Sequence, residues 1–379
     1  MNRINQPMYQ KIYDQIFEEI KAGKYGVGDR IPSEKELAIK YDVSRITSKK
    51  ALEMLAKNGV ISRMPGKGSF VLRDVNDREE AADGADTKRE KHTLIGVVMS
   101  DFSASYGIEL LSGIEDNASQ NSCSIVPRRS HGRQDIEEQA IDALIEMGVE
   151  GIIVMPVHGE HYNSKLLRLI LDGFPIVLID RDLKGIPASF AGSDNVGAAK
   201  KAADYLLGLG HRKISFISPP ADTSTIEDRI EGFVKSHAEH GVVIDESIWL
   251  TSLISTLPGN GNKSNISHDI ERIKEFLKEN SHITCLFTIE YNIALLAVEA
   301  IKLLGMRVPE DISVLCFDGP INYTGEYFFT HIRQREYEMG ATAVKYLLGQ
   351  FNGKAGGDKV FLETDLILGG STGAAIPGV

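Results

Sequence analysis

The sequence predicts an α/β protein in two unequal parts: a small N-terminal unit of short helices closed by a strand pair, and a large unit built on parallel strands. Three observations carry this. Across residues 93–372 short apolar runs alternate with amphipathic stretches, the pattern of parallel strands joined by helices. Residues 31–71 hold two capped helical stretches followed by a glycine-rich basic turn between two β-like runs. Between these parts, residues 74–92 are dense in charge and lack apolar periodicity, as a linker does.

The small unit opens with Met8, Tyr9, Ile12, Ile16 and Ile20, an apolar stripe at helical spacing ended by Gly23 and the turn-prone Gly26-Val27-Gly28-Asp29. Ser33 and Glu36 have the spacing of a capping box, which starts a short helix at Glu34. Leu37 and Ala38 give that helix its apolar face, and Tyr41-Asp42-Val43 makes the turn that follows. Ser44 is placed to cap a second helix, from Arg45 to Lys57, whose Ala51, Leu52, Leu55 and Ala56 face the core. Arg45, Thr47, Ser48 and Lys49 crowd an exposed first turn and a half. Arginine can pair bidentately with guanine, hydroxyls can bond bases or phosphates, and the helix N-terminus favours a phosphate. Residues 60–63 and 69–71 then form strands around Pro65-Gly66-Lys67-Gly68, a small cationic wing whose glycines let backbone approach a phosphate. The ordered combination reads as a winged helix-turn-helix that grips DNA.

Charge divides the chain the same way. Residues 1–73 carry 14 Lys and Arg against 8 Asp and Glu, whereas the remainder carries 28 against 45. Only the basic part suits a polyanion.

Composition sets further bounds. The 379 residues, 42% hydrophobic, can bury a substantial core in two or three domains. No apolar run reaches the roughly eighteen residues of a membrane span, and MNRINQPMYQ has no signal-peptide apolar core, so a cytoplasmic protein is expected. Cys285 and Cys316 sit in apolar strand-like runs and read as buried reduced thiols. The ten histidines form no metal-ligand motif, and neither a nucleophile elbow nor a complete phosphate or dinucleotide loop occurs. No metal, no cofactor and no enzyme activity are expected. An aminotransferase-like domain binding pyridoxal phosphate, the enzyme alternative for a chain with this DNA module, needs more residues than remain.

In the large unit, strands are predicted at 94–99, 124–126, 151–155, 175–180, 213–218, 283–288 and 312–317. Helices are predicted at 108–119, 136–147, 195–209, 226–240, 270–279, 293–304 and 337–348. One large sheet or two lobes are both compatible with this series. Open parallel sheets bind ligands at the carboxyl ends of their strands, and those ends read Asp101-Phe102, His158, Asp180-Arg181, Ser218, Glu290 and Asp318. The stretch 257–267 reads as a flexible surface loop. Arg128 and Arg129 read as a solvated loop pair, with entry of one into a cleft to meet a carboxylate or phosphate as the alternative.

Two resemblances add to this reading. The stretch IPSEKELAIKYDVSRITSKKALEMLAKNGVISRMPGKGSFV resembles the gluconate-repressor (GntR) family of bacterial transcription factors. The resemblance implies DNA contacts from Lys35, Ser44, Arg45, Thr47, Lys49, Gly66, Lys67 and Gly68. Ile46 departs from it, standing where the family often has a hydroxyl residue, and could meet a thymine methyl. The pieces GVEGIIVMP, FPIVLIDRD, SDNVGAAKKAADYLLGLGHRKISFI, DRIEGF, MRVPEDISVLCFD and HIRQREYEMGATAVKYLL resemble the effector domain of the lactose-repressor (LacI) family, itself similar to periplasmic sugar-binding proteins. The pairing of the two modules resembles the arabinose-repressor type. This implies a two-lobed, periplasmic-binding-protein-like domain with parallel sheets, with crossovers near 156–157, 281–284 and 319–333, closing on a small molecule.

The second resemblance makes Arg229 and Asp318 the expected ligand anchors, with Phe102 and Tyr106 as an aromatic wall and Asp180 and Gln334 as further polar contacts. Phe102 as ordinary core and Asp180-Arg181 as a structural ion pair are the plainer alternatives. Glu290 stands where sugar-binding relatives have an amide. It either faces the cleft or caps the next helix, the cap being favoured. The expected division is 1–73 winged helix-turn-helix, 74–92 linker and 93–379 effector-binding and dimerisation domain. The whole is expected to bind palindromic operator DNA as a homodimer under control of a sugar or sugar derivative, with a nucleoside, phosphosugar or sugar acid as the alternative effector.

Overall fold

The computed structural model describes residues 7–64, 67–72, 93–103, 105–157, 162–220, 223–322 and 324–375. In the N-terminal unit, Ile12, Ile16 and Ile20 are buried along one stripe of α1 (Met8–Lys21). After β1 (Arg30–Ile31), Ser33 and Glu36 form the reciprocal capping box that opens α2 (Glu34–Tyr41). Asp42 takes a left-handed conformation (φ 51°) and reverses the chain into α3 (Arg45–Lys57), capped by Ser44 Oγ accepting from Thr47 N–H. Then β2 (Ile61–Met64) and β3 (Gly68–Val71) pair antiparallel, and β1 adds on the far side of β3. Gly68 is required where it stands: its φ is +119° and a Cβ there would press on the Arg30 side chain at 2.9 Å. Pro65, Gly66 and the proposed linker 74–92 lie outside the described residues.

The large unit holds two sheets. The first is built by β4 (Thr93–Met99), α4 (Ile108–Gln120), β5 (Cys123–Arg129), α5 (Gln134–Glu146), β6 (Gly151–Val154), α6 (Ser164–Leu171), β7 (Ile176–Ile179) and β8 (Ser189–Ser193). The second follows with α7 (Asn195–Gly208), β9 (Ile214–Ile217), α8 (Ser224–Glu239), α9 (Lys263–Glu279), β10 (Cys285–Thr288), α10 (Tyr291–Leu303), β11 (Ser313–Phe317) and β12 (Thr330–Arg333). The chain then returns through α11 (Glu336–Phe351) and β13 (Lys359–Leu362) to the first sheet, and ends on β14 (Asp365–Ile367) in the second. Strand orders are β13-β8-β7-β6-β4-β5 and β14-β12-β11-β10-β9, all parallel except β14. The two lobes each enclose their own apolar core; that of the second is rich in rings, with Phe216, Phe233, Phe287 and Phe317 buried together. In the first lobe α11 crosses α4 at Gly113 and Gly340, where backbones approach so closely that a Cβ would lie 2.2 Å from Tyr337 O and 2.4 Å from Leu110 O.

Several expectations are corrected. The chain passes between sheets at 194, between β12 and α11 at 334–335, and between β13 and β14 at 363–364, not at 156–157 or 281–284, where consecutive strands stay in one sheet. The segment 319–333 still contains β12 of the second sheet. Apolar alternation reports strands and helices but carries no information on which sheet a strand joins. The series also missed α6, β8, β12, β13 and β14; β13 and β14 lie at sheet edges and are largely solvent-facing, so they lack a continuous apolar run. The stretch 257–267 is not simply a loop: Asn262 caps α9 from Lys263 onward, and its preceding residues line the interlobe cleft. Arg128 and Arg129 end β5 rather than lying on a loop.

Candidate functional site

On the DNA-reading side, Lys35 and Arg45 are exposed on α2 and α3, and Lys67 is exposed beside Gly68 on the wing. Lys49 is half-buried and approaches Glu53 at 3.9 Å. The expected exposure of Thr47 and Ser48 is corrected, since they are 3% and 0% exposed. Ser48 is buried because its hydroxyl ties α3 to α2, donating to Glu34 O at 2.7 Å. Thr47 is buried because its hydroxyl donates to Asp172 Oδ2 of the first lobe at 3.0 Å, and Ser44 N–H donates to the same oxygen at 3.3 Å. Asp172 thus sits at the N-terminus of the reading helix, the position a backbone phosphate would take. Lys50 Nζ donates to Glu150 O at 2.6 Å and lies over Phe174, while Lys57 pairs with Glu150 at 3.0 Å. Ile46 packs on the core of the first lobe, so in this arrangement it faces protein and not a thymine methyl.

Between the lobes lies a cleft of about 1160 Å³. Of the sequence-predicted residues, Phe102, Tyr106, Asp180, Arg229, Glu290, Asp318 and Gln334 all line it. Phe102 is 40% exposed at the cleft rim and carries the Arg129 guanidinium over its ring, so it is not ordinary core. Arg129 pairs with Asp101 at 3.2 Å, and of the two only Asp101 lines the cleft. His158 lies outside the described residues.

The two aspartates stand in matching places, each one residue past a parallel strand: Asp180 after β7 and Asp318 after β11. Both are held in the left-handed region, with φ of 62° and 64°. A non-glycine residue there is strained, and such strain concentrates at ligand clamps. Asp180 accepts from the Tyr106 hydroxyl at 2.6 Å and lies 3.7 Å from Arg181 Nε, so its ion pair with Arg181 is itself part of the cleft wall. Burial and the Asp180 charge push the Tyr106 hydroxyl well above the ordinary phenol value. Asp318 accepts from Gln334 Nε2 at 2.8 Å; burial pushes its carboxyl up to about 7 despite the nearby Arg229 and this hydrogen bond.

Arg229, on α8, is buried, stacks on the Phe317 ring at 3.9 Å, and donates from Nε to Asn195 Oδ1 at 2.8 Å and from Nη1 to Ile289 O at 2.7 Å. Glu290 precedes α10 at the capping position but makes no side-chain cap; the favoured helix-cap reading is corrected, because its carboxyl is committed to the buried cleft wall. Burial raises that carboxyl above its ordinary value, against Thr256, Arg229 and Arg181.

Sequence reasoning missed Asn195, Ser193, Ser255, Thr256 and Glu336. Ser193 Oγ donates to Gln334 Oε1 at 2.7 Å, and Asn195 Nδ2 donates to Ser193 O. Arg229, Asn195, Ser193, Gln334 and Asp318 therefore form one hydrogen-bonded chain that runs through two of the interlobe crossings. Glu336, at the start of α11, accepts from Gly107 N–H at 2.6 Å, and burial pushes it up to about 8. The signal available in the sequence was position: Asn195 and Glu336 each start a helix just after the chain changes lobe.

The fold and site define a class: a two-lobed ligand-binding module with a winged DNA-reading unit at its N-terminus. Residues 8–71 match the model of the gntR family of bacterial regulatory proteins, and residues 203–372 match that of the periplasmic binding protein-like domain. The chain is a DNA-binding transcription regulator that joins a GntR-type reading domain to a periplasmic-binding-protein-like domain of LacI-like fold. It is 27% identical over 350 residues to an arabinose metabolism transcriptional repressor of Halalkalibacterium halodurans, covering 90% of this chain and 88% of that one. It is 24% identical over 346 residues to the HTH-type transcriptional repressor CytR of Escherichia coli K12, covering 90% and 96%. A LacI family transcriptional regulator from Enterococcus faecium, solved with bound ribose, shares the fold with a TM-score of 0.61 at 23% identity, covering 75% of this chain and 100% of that one. Among the described residues no helix is long and apolar enough to cross a membrane.

Proposed function

We propose that this regulator represses carbohydrate-use genes in the cytoplasm. In this reading residues 1–73 bind a palindromic operator as part of a homodimer, and a sugar or sugar derivative bound between the lobes of 93–379 controls that binding. The observation that carries the reading is the presence, in one chain, of a capped reading helix and an interlobe cleft clamped by two strained strand-end aspartates and Arg229. An ionised Asp accepts from neighbouring hydroxyls and a guanidinium donates to hydroxyl or ring oxygens, while Phe102 and Tyr106 offer aromatic faces to the apolar side of a sugar ring. The relatives named for arabinose metabolism support the carbohydrate assignment.

Coupling follows from the hydrogen-bonded chain. A ligand that engages Asp318 and Arg229 acts on groups tied through Gln334 and Asn195 to the crossings, so its binding energy differs between open and closed lobes and shifts their populations. Linkage makes the effect reciprocal between effector and operator. Nothing in this scheme requires chemical turnover of the ligand.

The test is selection of duplexes from a random DNA library by the full chain. Enrichment of an inverted repeat, weakened by Arg45→Ala and by salt, is expected, because one small domain reads few base pairs and two half-sites supply useful specificity. Failure of any duplex to enrich over the starting library would overturn the proposal.

A further inference from the structure

Buried polar atoms without partners are rare in folded proteins, and several of those described here share one place. Arg181 Nε, Ser255 Oγ, Thr256 Oγ1 and Glu290 Oε1 are buried, have no hydrogen-bond partner of full geometry, and belong to residues lining the interlobe cleft; Thr256 lies close enough to Glu290 for the two to bond weakly, and Arg181 Nε meets Asp180 only at 3.7 Å. Ser255 is only 5% exposed, and its backbone is fixed by Asp269, whose Oδ2 accepts from Ile254 and Ser255 N–H at 3.0 and 2.7 Å. The hydroxyls can donate or accept, ionised Glu290 Oε1 can only accept, and Arg181 Nε can only donate.

The charges of the cleft decide what can satisfy these atoms. Asp101, Asp180, Glu290 and Asp318 line it together with one histidine, His131, and among the described residues no lysine does. The arginines are largely committed. Arg133 is forked onto Asp135, Arg181 Nη1 donates to Ser100 Oγ at 3.1 Å with Nε 3.7 Å from Asp180, and Arg229 uses Nε and Nη1 within the protein. Above pH 7, where Asp318 is ionised, a phosphate or carboxylate entering here would face carboxylates with little free cationic donor to offset them. A hydroxyl instead donates to Glu290 or Asp318 and accepts from Arg181, and brings no charge of its own into the cleft.

We propose that the cleft selects an uncharged polyol over phosphorylated and carboxylated ligands, with Ser255, Thr256 and Glu290 as the specificity-determining residues that read its hydroxyls. This rests on the reading of the cleft as the effector site. The experiment is calorimetric titration of the full chain with two matched sets of probes: arabinose, arabinonate and arabinose 5-phosphate, and ribose, ribonate and ribose 5-phosphate. At least one aldose is expected to bind, with its acid and phosphate about 100-fold weaker, the scale of one unscreened like charge in a partly desolvated site. Glu290→Gln, which keeps an acceptor and removes the charge, is expected to narrow that gap about tenfold. Thr256→Val is expected to weaken the aldose about fivefold. Tighter binding of an acid or phosphate than of its parent aldose would overturn the inference and leave the sensor reading standing, as would a gap that Glu290→Gln does not change. No binding by any of the six probes also overturns it; if duplex selection fails too, the regulator reading falls with it.

Discussion

Replacing Glu336 with glutamine removes a buried carboxyl whose titration lies close to neutrality, and so should change how the stability of the chain depends on pH. Glu336 starts α11 between the lobes, accepts from Gly107 N–H, and is pushed by burial from 4.5 up to about 8. Because the folded state holds this proton more tightly than the unfolded chain, the stabilisation is full below the ordinary value of 4.5. It is lost as pH rises through about 8. From those two values the loss between pH 7 and pH 8 is about 1 kcal/mol. Asp318 and Glu137, both raised by burial to about 7, add roughly 0.3 kcal/mol each in the same interval.

Between pH 7 and 8 the buried carboxyls outweigh the histidines. His211, His237 and His331 are lowered by burial from 6.5 and are already neutral in the folded state above pH 7, so the remaining protonation of the unfolded imidazoles makes them oppose the fall by only about 0.1 kcal/mol each. Thermal unfolding of the ligand-free protein should therefore show a melting temperature that falls by roughly 2–5 °C from pH 7 to 8 for a domain of this size. Glu336→Gln keeps an acceptor for Gly107 and should lose more than half of that fall. The slope is read, not the absolute melting temperature, so a general loss of stability in the variant leaves the test intact. A wild-type melting temperature that rises over this interval, or an unchanged slope in the variant, would refute the reasoning.

Three further predictions concern other parts of the molecule. Asp172→Asn removes the charge held at the N-terminus of the reading helix, a contact worth about 1 kcal/mol after discounting for partial exposure, so operator affinity in filter binding should rise severalfold; an unchanged affinity would show that this contact does not compete with DNA. Gly340→Ala drives a methyl to within 2.4 Å of Leu110 O at the α4–α11 crossing and should cost at least about 2 kcal/mol, seen as a lower urea midpoint; wild-type stability would contradict the packing. Gln334→Ala leaves Ser193 Oγ and Asp318 Oδ1 without their shared partner, a cost of about 1–3 kcal/mol, and should weaken both effector affinity and its coupling to operator. Loss of effector affinity with coupling intact would argue against the crossing network.

Local sequence determined much of this protein. The Ser33–Glu36 box, the Ser44 cap and the stripe of Ile12, Ile16 and Ile20 depend on neighbours three or four residues away, and each formed where its spacing placed it. The apolar runs of the parallel strands were legible because strands buried on both faces need no polar alternation. Polar residues at strand ends pointed to the cleft for the same reason, since the chain leaves the core there.

Tertiary structure decided the rest. Which sheet a strand joins depends on pairing between residues far apart, so β13, which follows α11 yet pairs with β8, could not be read from pattern. The burial of Thr47 arises from Asp172, 125 residues away, and the Glu290 carboxyl is set by the closure of two lobes around it rather than by its place at a helix start. Spacing specifies local hydrogen bonds, but burial and the charges that surround a group belong to the whole folded chain, and these fix how the cleft residues act.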